Sequence, residues 1–214
     1  MKVLVIGAHG KVGRKITDKL NKHNHQVVAM VRDESQKAAM QKLGATPVLA
    51  DLEGDISHAF KDKLDAVIFT AGSGGNTGKD KTITVDLQGA RKSIDEAVKH
   101  KVPRYIMISA LGANNADEMP DDMRHYFVAK SEADQYLVQS ELDYTILRPG
   151  RLTDEGGTGS VNAAESLEDY EDRTISRDDV ATAAVLMLDR SNTHKKVVEL
   201  LNGKTPVKDA LAAI

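Results

Sequence analysis

Lys2-Val3-Leu4-Val5-Ile6-Gly7-Ala8-His9-Gly10-Lys11-Val12-Gly13 decides how the rest of this chain is read. Residues 3–6 form an unbroken apolar run, the pattern of a strand covered on both faces, and a glycine-punctuated turn follows at once. From Lys11 to His23, Val12, Ile16 and Leu20 recur four residues apart, while Arg14, Lys15, Asp18 and Lys19 fall elsewhere, which makes an amphipathic helix. Strand, turn and helix therefore follow one another without a gap. In that setting Gly7-x-x-Gly10-x-x-Gly13 has a physical reading: Gly7 permits the tight turn, Gly10 lets backbone approach a pyrophosphate, and Gly13 lets the helix pack on the strand. The helix start adds free N–H groups and partial positive charge. The alternative is a tight structural turn that holds nothing.

Outward from this unit the same rhythm continues. Strands are expected at 26–31, 46–50, 65–70, 104–109, 144–147 and 196–201, and helices at 35–43, 56–60, 84–100, 121–140, 178–188 and 207–213. Regular alternation implies right-handed crossovers and a doubly wound parallel sheet, an α/β fold of three layers in the order 3-2-1-4-5-6-7. Residues 151–173 break the rhythm with Gly, Asp, Glu, Ser and Asn, and read as an irregular lid, with room for short strands. A length of 214 residues favours one domain, with residues 1–150 as the nucleotide-binding core and 151–214 as a lid and closing elements.

Composition narrows the functions further. Aromatic residues are 4% of the chain and Trp is absent, so platforms for stacking nucleic-acid bases are scarce. A net charge of −3 gives no global basic field for nucleic acid or an anionic membrane. The absence of Cys excludes disulfides, thiolate metal sites and thiol nucleophiles, and neither His23 and His25 nor the carboxylates of 165–172 have metal-ligand spacing. The longest apolar run is far short of a membrane span, so a cytoplasmic protein with a small-molecule substrate is expected, monomer or homodimer. Charge is uneven: residues 1–50 carry nine Lys/Arg against three Asp/Glu, and 151–180 the reverse, three against nine. Solvated helix faces explain this, as does a phosphate-bearing ligand beside the basic segment.

The end of the second strand reads Val31-Arg32-Asp33. An acidic residue there would bind a ribose diol, whereas the Arg32 guanidinium pairs with a 2′-phosphate, so NADP(H) is favoured over NAD(H) with Asp33 as the competing signal.

With these residues in place, the chain resembles the atypical short-chain dehydrogenase/reductases, specifically the small NAD(P)H-binding members close to biliverdin/flavin reductase-like and NmrA-like proteins. The resemblance covers most of the chain. It includes the glycine loop with His9, Lys11 and Val12, then Val31-Arg32, and Ala50-Asp51-Leu52, which flank the adenine in the family. Ala71-Gly72-Ser73-Gly74 matches the segment along the ribose and nicotinamide, and Arg148-Pro149-Gly150 matches a turn near the nicotinamide end. Ser109, Tyr126-x-x-x-Lys130 and Arg177-Asp178-Asp179-Val180-Ala181 complete the match.

Tyr126 and Lys130 lie one turn apart on one helix face. A lysine cation there favours the phenolate and makes the phenol a usable proton donor near neutral pH; the same lysine can hold the nicotinamide ribose. The resemblance implies that Ser109 orients a substrate carbonyl. Tyr126 can instead be a half-buried packing residue, with His125 as a spare acid. These residues imply a reductase of a small carbonyl, quinone, flavin or related acceptor. A non-catalytic NADP(H) sensor is the second reading. A sugar-nucleotide epimerase is disfavoured, because such relatives carry a substantial substrate domain for which this chain has no room.

Overall fold

The computed structural model describes residues 1–75, 77–167 and 172–214. Its main sheet contains β1 (Lys2–Ile6), β2 (Gln26–Val31), β3 (Thr46–Leu49), β4 (Ala66–Phe69), β5 (Arg104–Ile108) and β6 (Asp143–Pro149). The helices between these strands are α1 (Lys11–Lys22), α2 (Lys37–Lys42), α3 (Lys79–Lys81), α4 (Gln88–Lys99) and α5 (Asp121–Val138). After β6 come β7 (Arg151–Thr153), β8 (Ser160–Ala164), β9 (Thr174–Ser176), α6 (Arg177–Leu186), β10 (Lys196–Asn202), β11 (Thr205–Pro206) and α7 (Val207–Ala212).

The order across the sheet is β11-β8-β10-β6-β5-β4-β1-β2-β3. The seven expected strands hold their expected order, with β10 in the seventh place. All of their pairings are parallel. The addition lies at one edge, where β8 runs antiparallel to β10, and β11 antiparallel to β8. The short strands for which the region after residue 150 has room are β7, which pairs with β9 in a second small sheet, and β8, which joins the main one. Each of these segments is too short to show a periodicity. The acidic positions Glu168–Glu171 lie outside the described residues.

The alternation within β1 explains the layers. Val3 and Val5 belong to a core shared with Ile16 and Leu20 of α1 and with α6 and α7, while Leu4 and Ile6 face a second core with α4 and α5. Both faces of the strand are buried, as the unbroken apolar run required. Between α3 and α4 the chain adopts a π-helix over Thr82–Leu87, which carries Asp86, 1% exposed. Among the described residues no helix is long and apolar enough to cross a membrane.

Candidate functional site

A cleft of about 240 Å³ opens at the C-terminal ends of β1, β2, β3 and β4. Gly7, His9 and Gly10 form its floor. Gly7 has φ +83°, and a Cβ there would lie 2.7 Å from the backbone of Ala71. A Cβ at Gly13 would lie 2.2 Å from the Gly7 carbonyl oxygen, so α1 approaches β1 at a distance only glycine allows. Val12 is buried in the core, and neither it nor Gly13 lines the cleft. Gly10 starts α1 without a side-chain cap, and the first turn holds no acidic residue. The dipole of a twelve-residue helix is therefore unopposed by any negative charge of that turn.

Arg32 sits on one wall. It is exposed and makes no hydrogen bond or ion pair with a described residue. Its neighbour Asp33, the competing signal in the sequence, is otherwise engaged: its Oδ1 accepts from Ser35 N at 2.8 Å and Ser35 Oγ at 2.6 Å. Those two bonds, with the charge of Arg32, hold the Asp33 carboxyl below its ordinary value. Sequence reasoning missed Arg14. Its Nε donates to the His9 carbonyl oxygen at 3.0 Å and its guanidinium also contacts the His9 ring, so a second cation stands beside the cleft. Burial, Arg14 and Arg32 together lower the His9 pKa below 6.5. The signal for Arg14 was its place directly after Gly13, at the first turn of the helix.

The opposite walls come from Asp51 and Leu52, after β3, and from Ala71, Gly72 and Ser73, after β4. Asp51 Oδ1 accepts from Glu53 N at 2.9 Å, which folds this carboxylate into its own turn. Asp86, also missed, accepts from Ser73 N at 2.8 Å and pins the loop after β4 to the π-helix. Gly74 follows with φ +83°. Lys11 points away from the cleft lining and pairs at 2.5 Å with Asp154, which also holds Arg177 at 2.8 Å.

Ser109, Tyr126, Lys130 and Pro149 lie along the sheet from this cleft, at the C-terminal ends of β5 and β6 and on α5. Lys130 is 4% exposed and donates to the Ile108 carbonyl oxygen at 3.0 Å. Tyr126 is half-buried, edge-on to Phe127, with its hydroxyl unbonded among the described residues. The Nδ1 of neighbouring His125 is buried with no partner among the described residues. Pro149 is buried, and its carbonyl oxygen accepts from Leu111 N at 2.9 Å. The Ser109 hydroxyl donates to Asp134 Oδ2 at 2.9 Å, and Arg148 Nε reaches the same oxygen at 3.0 Å. Asp134 was not foreseen, although it stands four residues after Lys130 and eight after Tyr126, on one polar stripe of α5.

A parallel sheet with a glycine turn, an uncapped helix start and a cleft at the strand ends defines a Rossmann-type nucleotide-binding protein. The chain belongs to the NAD(P)H-binding family, whose model matches residues 7–191. It is similar to a Bacillus subtilis (strain 168) protein named an uncharacterized sugar epimerase, YhfK, with 47% identity over 99% of each chain. Among solved structures it is similar to a Bacillus halodurans protein assigned as an NAD-dependent epimerase/dehydratase, with TM-score 0.97, 46% identity and full coverage of both chains. The oxidoreductase YlbE of Lactococcus lactis matches with TM-score 0.86 and 28% identity, over 100% of this chain and 96% of that one.

Proposed function

We propose that this protein is an NADP(H)-dependent reductase of a small carbonyl, quinone, flavin or related acceptor. The observation that carries the cofactor assignment is the contrast between Arg32, which lines the cleft unpaired, and Asp33, which is not part of the lining and whose Oδ1 receives both Ser35 bonds. A carboxylate outside the lining with one oxygen already engaged is a poorer partner for a ribose diol, and a free guanidinium in the lining suits a 2′-phosphate. Arg14 and His9 add to the same positive corner. The α1 N-terminus and the Gly7–Gly10 turn would hold the pyrophosphate, and the walls at Leu52 and Ala71 the adenosine.

A bound NADPH supplies hydride. The chain's own residues provide the rest: Lys130, fixed by the Ile108 carbonyl, presents a cation at the C-terminal edge of β5, and Tyr126 presents a free phenol one turn away. The phenol is the group that passes a proton to the acceptor oxygen or nitrogen. Two relatives carry epimerase names, yet the segment after residue 150 builds strands β8, β10 and β11 of the common sheet. That use of the chain leaves little for a sugar-nucleotide pocket, which favours the reductase reading.

Parallel calorimetry with NADPH, NADH, NADP and NAD tests the assignment. NADPH is expected to bind more tightly than NADH, and Arg32→Ala to erase the difference, a loss of about tenfold or more for a charge-assisted contact. Equal affinity for NADH in the unaltered protein would overturn it. Tyr126→Phe is expected to lower turnover without loss of NADPH affinity.

A further inference from the structure

Ser109 has one proton to give, and it is spent. Its hydroxyl donates to Asp134 Oδ2, the oxygen that also receives Arg148 Nε. Asp134 is 2% exposed, and its other oxygen, Oδ1, is buried with no partner among the described residues. This pattern is that of an ionised carboxylate. A proton on Oδ2 would compete with two donors already present, and the Arg148 guanidinium 3.0 Å away supplies the countercharge that a buried carboxylate needs. Lys130, one turn earlier on α5, adds a second positive charge on the same side. Burial pushes the Asp134 carboxyl up from its ordinary value, and Arg148, Ser109 and Lys130 act against that shift.

We infer that Asp134 and Arg148 fix Ser109 as a hydrogen-bond acceptor toward the site, so that the acceptor molecule presents an N–H or O–H to Ser109 rather than a bare carbonyl. A hydroxyl whose hydrogen points into a carboxylate offers only lone pairs on its outer side. A carbonyl oxygen placed there would meet lone pair with lone pair. To donate to it, Ser109, itself buried, would have to break its charge-assisted bond to Asp134. A molecule with a ring N–H or hydroxyl beside its reducible centre meets no such conflict. Asp134 is a positioning residue, since it acts through Ser109.

The inference rests on the reductase reading for where the acceptor sits, and two measurements separate their fates. Carbon-13 carboxyl NMR of the full chain with NADP reads the state of Asp134 directly. An ionised Asp134 at pH ~7, whose titration moves upward in Ser109→Ala as one donor is lost, is expected; a protonated Asp134 at that pH overturns the inference. Fluorescence titration of the NADP complex with lumiflavin and with 3-methyllumiflavin then tests the consequence, because the pair differs at one N–H. Lumiflavin is expected to bind about tenfold more tightly, and Ser109→Ala to abolish the difference. Equal binding of both flavins to the unaltered protein, or discrimination that survives in Ser109→Ala, overturns it. Failure of both flavins to bind while Asp134 is ionised counts against flavins as acceptors in the proposed function, and the NMR result then decides the polarity of Ser109.

Discussion

Gly13 shows how much a single residue carries. The sequence marked it as the third glycine of a turn; the structure adds that a Cβ would sit 2.2 Å from the Gly7 carbonyl oxygen and 2.8 Å from the Ala8 Cα. Both obstacles are backbone, which cannot swing aside as a side chain can. Gly13→Ala is therefore expected to lower stability by about 1–3 kcal/mol, the cost of overpacking, and to displace α1 from the anion it faces. Urea unfolding reads the first effect and NADPH titration the second; an unchanged midpoint would contradict the close approach. At this scale the glycine turn was legible because its geometry is local. Arg14, Asp86 and Asp134 were not, because their partners His9, Ser73 and Ser109 lie 5, 13 and 25 residues away in the chain.

Among the elements, the π-helix of Thr82–Leu87 stands out. Sequence periodicity placed a helix from residue 84 and gave no hint of the wider coil, which inserts within a run otherwise read as α-helix. Its effect is to present Asp86 to the loop after β4, where the carboxylate receives the Ser73 N–H. Asp86→Ala would leave that amide unsatisfied at a cost of about 1–3 kcal/mol. NADPH affinity is expected to fall with it, since the freed loop is a wall of the cleft; hydrogen exchange at Ser73 measures the release. Strand identity survived the reading better than helix type. Four-residue apolar runs such as Ala66–Phe69 declare themselves, whereas β8 hides in a polar stretch and is recognisable only beside β10.

Across the whole molecule, three histidines from different segments of the chain share one response to acid. His9, His25 and His194 are each shifted down from 6.5, in every case chiefly by burial, with added repulsion from nearby positive charge. The folded state thus prefers the neutral rings. As pH falls through 6.5 the unfolded chain takes up these protons first, so stability present above that value is lost below it. The urea midpoint is expected to drop between pH ~7.5 and ~5.5, and to drop less when His25 and His194 are replaced by Gln. An unchanged midpoint over that range would contradict the shifts.

The two rims of the nine-stranded sheet close on the same device. β3, the outermost strand on one side, contains Pro47, and β11, the outermost on the other, ends in Pro206. A proline has no N–H to offer, so at either rim an incoming strand from another copy would meet a gap in the ladder it must complete. Growth of the sheet from molecule to molecule is thereby discouraged at both ends.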